Sequence, residues 1–196
     1  GIVGREGFEY LRNDRLRITI LGMFLVNSLF GMAYPTLMPV VARDVVQAGP
    51  EGFGLIMASS GLGSLAGTMV VATLSDMRRK GLAALACSLL FGVALVAFGQ
   101  ATTLGTAMGL MAVVGFFNSA YSVLLSTILQ TDLDDRYRGR VMSIFTLVVN
   151  TIPLAGLQAG ALASAFGAPL ALSVNGAIVA AAGLIALARA PWLRRA

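Results

Sequence analysis

The chain has 196 residues, 57% of them hydrophobic and only 12% charged, with a mean hydropathy of +0.84 and a formal net charge of +5. A water-soluble domain needs about a quarter of its residues charged to cover its surface, so this balance excludes a soluble globular fold. The positive charge does not mark a nucleic-acid binder either, because no basic face with interleaved aromatic residues is present.

Residues 1–17 form a basic polar stretch. It opens on Gly1 without Met and is expected to be a cytoplasmic connection cut from a longer polypeptide. A bilayer core takes about 20 consecutive apolar residues in a helix, and the pattern predicts six such helices, over 18–41, 53–74, 82–100, 106–129, 141–164 and 170–188. None of these runs contains Asp, Glu, Lys or Arg. The first carries Asn27, Ser28 and Tyr34, with Pro35 and Pro39 late in the run; the second carries Gly63-x-x-x-Gly67, extended backward by Ser59. The third has little polarity beyond Cys87 and Ser88, whereas the fourth has Asn118, Ser119, Tyr121, Ser122 and Ser126. The fifth holds Asn150, Thr151, Pro153 and Gln158 and a second small-residue stripe, Gly156-x-x-x-Gly160, extended to Ser164; the sixth has Ser173 and Asn175 near its start. Residues 189–196 are read as a cytoplasmic tail. Short connections make neighbouring helices antiparallel, and strands that alternate apolar and polar residues, as a membrane barrel needs, are absent from the pattern.

The cations are sorted. Arg5, Arg12, Arg15 and Arg17 precede the first run, Arg78, Arg79 and Lys80 follow the second, Arg136, Arg138 and Arg140 follow the fourth, and Arg189, Arg194 and Arg195 follow the sixth. Arg43 alone lies on the other side. Cytoplasmic loops retain Lys and Arg, so both termini are expected in the cytoplasm of a multi-pass protein of the cell (inner) membrane. The loop following the first run (42–52) and that following the fourth (130–140) are both long, and the two small-residue stripes fall in the second and fifth runs. Helices one to three thus resemble helices four to six in opposite orientation, a 3+3 inverted repeat.

Enzyme chemistry finds no support. There is no histidine, one cysteine and no aspartate within a run, which removes a serine–histidine pair, an intramembrane aspartyl pair, a disulfide framework and the usual metal ligands. No cofactor or metal is expected. Amides and hydroxyls within a bilayer face the bundle interior or a wet cavity, so helices one, four and five are expected to line a path and helices three and six to face lipid. Asn27, Tyr34, Asn118, Tyr121, Asn150 and Gln158 are the candidates for substrate contact; the bland alternative for each is an interhelical hydrogen bond worth about 1 kcal/mol or less. Each proline removes a backbone hydrogen bond and tends to kink its helix, which serves either a bending gate or static shaping. An uncharged lining suits bulky amphipathic compounds better than small anions.

The string 75–81, Ser-Asp-Met-Arg-Arg-Lys-Gly, resembles the loop motif Gly-x-x-x-Asp-Arg-x-Gly-Arg-Arg of the major facilitator superfamily, with Asp76 at the aspartate and Lys80 at a basic position. Ala72, Met77 and Arg79 depart from it. The string 130–143, ending Arg138-Gly139-Arg140-Val141-Met142-Ser143, is similar to the loop entering the eleventh helix in the branch that includes the enterobactin exporter, and Glu6-Gly7-Phe8-Glu9-Tyr10-Leu11-Arg12 and Pro153-Leu154-Ala155-Gly156 look like the same branch. The resemblance implies the carboxy-terminal half, helices seven to twelve, of a secondary-active efflux permease working by alternating access. Its partners would be a small-molecule substrate, the lipid bilayer and a missing amino-terminal six-helix half. Asp76, Arg78, Lys80, Asp135, Arg138 and Arg140 would form gate or loop-motif contacts. A proton-coupling carboxylate would have to lie in the other half, because the runs here hold none. The alternative is a self-contained six-helix channel or scaffold that dimerises through the glycine stripes.

Overall fold

The computed structural model describes residues 15–73, 79–131 and 135–189, with backbone alone for residues 135–137. All regular structure among them is helical. Six helices are long and apolar enough to span a membrane: Arg15–Val45, Gly49–Thr73, Lys80–Phe98, Leu104–Gln130, Arg138–Phe166 and Ala168–Arg189.

Two of the six are broken, each beside a proline. The first span consists of α1 (Arg15–Leu29), a 3-10 turn (Gly31–Ala33), α2 (Tyr34–Val40) and a π turn (Val41–Val45). Met32 departs from helical geometry at φ −86° and ψ 15°. Pro35 has no N–H to give the preceding turn, and Pro39 repeats the loss one turn later. α3 (Gly49–Thr73), α4 (Lys80–Phe98) and α5 (Leu104–Gln130) are uninterrupted. The start of α5 is capped reciprocally by Thr103 and Thr106. The fifth span divides into α6 (Asp135–Val149) and α7 (Ile152–Phe166) at Asn150 and Thr151, immediately before Pro153. Gly167, at φ 88°, turns the chain into α8 (Ala168–Arg189), a conformation L side chains rarely adopt.

α3 packs along α5, α4 packs between α5 and α8, and the two broken spans pack on each other. With helices one to three exchanged for four to six, the second-on-fourth contact maps onto the fifth-on-first and the third-on-fourth onto the sixth-on-first, while the third–sixth contact maps onto itself. The fifth–sixth contact has no counterpart of its size between second and third.

Glycine sets the tightest of these contacts. A side chain on Gly63 or Gly67 would overlap the backbone carbonyls of Ala112 or Phe116, and one on Gly115 would overlap that of Ser60. The stripe on α3 is therefore occupied by α5, not free for a second copy. α4 and α8 close in the same way through Gly92 and Gly176, each of which faces the other's carbonyl. This contact gives helices three and six an interface with each other, while Leu90 and Val93 on α4 and Leu170, Leu184 and Ile185 on α8 stay exposed on their other sides. The third span is the most buried, with 50% of its apolar window buried against 11% for the fifth. Polarity was the guide to facing, but in an apolar medium the close packing of small residues brings helices together regardless of side-chain polarity.

Candidate functional site

A cleft of about 350 Å³ opens between α1, α5 and the fifth span. Its walls are Phe24, Asn27, Ser28 and Met32 from the first span, Asn118, Ser122, Val123 and Ser126 from α5, and Phe145, Val149 and Ile152 from the fifth. The three- and four-residue spacings place each set on one helix face. Both broken segments border the cleft: Met32 lies in the 3-10 turn, and Val149 and Ile152 flank the break of the fifth span. No ionisable side chain among the described residues lines it.

Asn27 and Asn118 meet inside it. Asn27 Nδ2 donates to Asn118 Oδ1 at 3.4 Å, and Asn118 Nδ2 donates to the Met32 sulfur at 3.8 Å. A thioether sulfur only accepts, which orients the Asn118 amide and, through it, the Asn27 amide. Asn27 Oδ1 is left buried without a hydrogen-bond partner among the described residues. It lies where a side chain on residue 31 would stand, beside the edge of the Phe91 ring. An unpaired buried acceptor costs about 1–3 kcal/mol, so this oxygen is poised to gain from any donor that reaches it.

The other candidate residues take different places. Tyr121 is 1% exposed and stands behind the wall, its hydroxyl near Ser88 of α4. Its ring lies 6.2 Å from Phe24, which in turn meets Phe145 edge-on at 4.8 Å across the cleft. Tyr34 is buried too, with its hydroxyl near Ser60 of α3. Asn150 is exposed at the break of the fifth span and does not line the cleft, though Val149 beside it does.

Gln158 serves the backbone of the first span. At the 3-10 turn the Ala33 N–H reaches the Phe30 carbonyl, not that of Leu29 four residues back. Gln158 Nε2 donates to the Leu29 carbonyl at 3.0 Å and to Asn175 Oδ1 at 2.8 Å. Asn175, fully buried, returns its Nδ2 to the Ala171 carbonyl at 2.8 Å. One amide thus ties the first, fifth and sixth spans together.

Lys80 starts α4, and Arg138 and Arg140 stand in the first turns of α6. Asp76, Arg78 and the Asp135 side chain lie outside the described residues. Sequence reasoning missed Met32 and the Leu29 carbonyl. The available signal was Pro35, since a proline disturbs the turn before it and a displaced carbonyl in a bilayer requires a donor.

Residues 9–195 match the model of the Major Facilitator Superfamily. The chain is also similar to the staphyloferrin A transporter of Staphylococcus aureus (strain NCTC 8325 / PS 47), at 28% identity over 150 residues, which are 74% of this chain and 36% of that protein. The chain thus spans about a third of the length of this relative. The family and the relative's name are those of transporters rather than enzymes, and six apolar helices among the described residues are those of a multi-pass membrane protein. The chain belongs to the Major Facilitator Superfamily.

Proposed function

We propose that this chain is the carboxy-terminal six-helix half of an exporter of amphipathic small molecules, siderophores and secondary metabolites among them, working by alternating access, and that the cleft is its share of the substrate path. The observation that carries the reading is the Asn27–Asn118 pair, set in an uncharged cleft between two helix breaks. Apolar walls give a large ligand its burial, and a few amides and hydroxyls give it orientation. The similarity to the staphyloferrin A transporter of Staphylococcus aureus supports the substrate class.

Charge sorting supports a reading with both ends of the chain on the cytoplasmic side of the cell membrane. The second and fifth spans have the least buried apolar windows, and Leu62, Leu65, Met69, Leu154 and Leu157 on them are exposed. These surfaces suit docking of an amino-terminal six-helix half better than pairing of two copies through both glycine stripes, because the stripe on α3 is already filled by α5. In this reading Asp76, Arg78, Lys80, Asp135, Arg138 and Arg140 latch the cytoplasmic gate.

The test is Asn118→Leu in the full-length protein, with export measured in cells or proteoliposomes. The variant is expected to express normally and to alter the substrate concentration at half-maximal rate. Unchanged transport removes Asn118 from the path. In the same assay Asp76→Asn is expected to lower the maximal rate more than the affinity; the reverse outcome rejects the latch.

A further inference from the structure

Away from the cleft, α1 and α8 enclose a second groove of about 460 Å³. Gly22, Met23 and Val26 line it from α1, and Ala182 and Ala186 from α8, with Arg189 at one end. Met23 and Ala186 are buried and make its floor. Its width comes from Gly22, where a side chain would meet nothing within 4 Å. The stripes run antiparallel, so the end marked by Arg189, the last residue of α8, is also the end at which α1 begins. That end is the polar edge of the span, and the remainder of the groove lies along the apolar stretch.

Arg189 is exposed and has no ion pair with a described residue. Among the described residues that line it, Arg189 is the one ionisable group, and an apolar trough with a cation at its membrane edge complements a molecule with an apolar chain and an anionic head. Basic pockets between membrane helices near the interface are suited to acidic headgroups.

We propose that this groove is a binding site for an anionic phospholipid, with one acyl chain between Gly22, Val26 and Ala182 and the phosphate on the Arg189 guanidinium. The site lies apart from the cleft and does not depend on what the protein transports.

The experiment uses the protein expressed from its natural reading frame and purified in detergent, with native mass spectrometry counting phosphatidylglycerol and phosphatidylcholine of identical chains retained from a mixed vesicle. Arg189→Ala is expected to lower the phosphatidylglycerol-to-phosphatidylcholine ratio about fivefold, the effect of one lost cation at the membrane surface. Gly22→Phe, which fills the groove, is expected to reduce retention of both lipids alike. Ala182→Phe repeats that result from the opposite wall, and melting temperatures of lipid-stripped samples confirm that the variants fold. An unchanged ratio in Arg189→Ala overturns the proposal, as does unchanged retention in both groove-filling variants. A concentration-dependent dimer in phosphatidylcholine micelles that Gly22→Phe abolishes assigns the groove to a second copy and also overturns it.

Discussion

The side-chain amide of Gln158 donates to the main-chain carbonyl of Leu29 at 3.0 Å, closing a gap that the first span opens in its own hydrogen-bond ladder. Water solvates such a carbonyl in a soluble protein, but in a bilayer the protein must supply the donor. Gln158→Leu removes it and also deprives Asn175 of its partner. The expected loss is about 1 kcal/mol, within the range of measured interhelical hydrogen bonds in membranes, read by detergent-mediated unfolding. Asn175→Ala is expected to couple with it, the double variant losing less than the sum. Strict additivity separates the two residues and rejects the strap.

Gly31 is held to glycine by Asn27. A Cβ there would overlap Asn27 Oδ1 and crowd the Phe91 ring edge at 2.9 Å. Gly31→Ala is expected to destabilise by about 1–3 kcal/mol, the usual cost of overpacking, and Asn27→Ala in the same chain is expected to restore part of it. A neutral Gly31→Ala places the Asn27 amide elsewhere.

The packing of α3 on α5 distinguishes glycines only two residues apart. Gly63→Leu is expected to prevent close approach, because its side chain would enter the Ala112 carbonyl; at Gly61 there is open space. Membrane yield and unfolding midpoint should fall sharply for Gly63→Leu and stay within about 0.5 kcal/mol of the parent for Gly61→Leu, as is usual for surface changes. Equal effects at the two positions mean that the α3 face is assigned wrongly.

The first and fifth spans approach closely enough for a disulfide. A Cβ on Gly156 would stand 3.9 Å from that of Thr36, within the range disulfides use. In a Cys87→Ala background, Thr36→Cys with Gly156→Cys is expected to cross-link on mild oxidation. Thr36→Cys with Gly160→Cys is expected not to, since a Cβ on Gly160 has nothing within 4 Å. Absence of the first cross-link, or presence of the second, shows that the two halves of these spans are paired in another register.

Much of the site was legible as residue types. Asn27 and Asn118 stand out because an amide in an apolar run has few uses, and helices one, four and five, the ones their polarity singles out, border the cleft. Tyr121 and Gln158 carry the same signal, yet one stands behind the wall and the other straps a backbone carbonyl. Polarity marks a residue that needs a partner without saying whether that partner is a ligand, a hydroxyl on a neighbouring helix or a displaced carbonyl.

The sequence by itself determined the class, the number of spans and the places where spans break, because each follows from a local rule. Lipid cannot solvate charge or unpaired backbone, so apolar runs of sufficient length must be helices, and proline removes a donor wherever it stands. Only the tertiary structure decided which faces meet. In a soluble helix the boundary between apolar and polar residues announces the buried side. Membrane helices are apolar all round, and their contacts depend on where a glycine lets a backbone approach. That choice put α3 on α5 through Gly63, drew helices three and six together through Gly92 and Gly176, and brought Asn27 against Asn118.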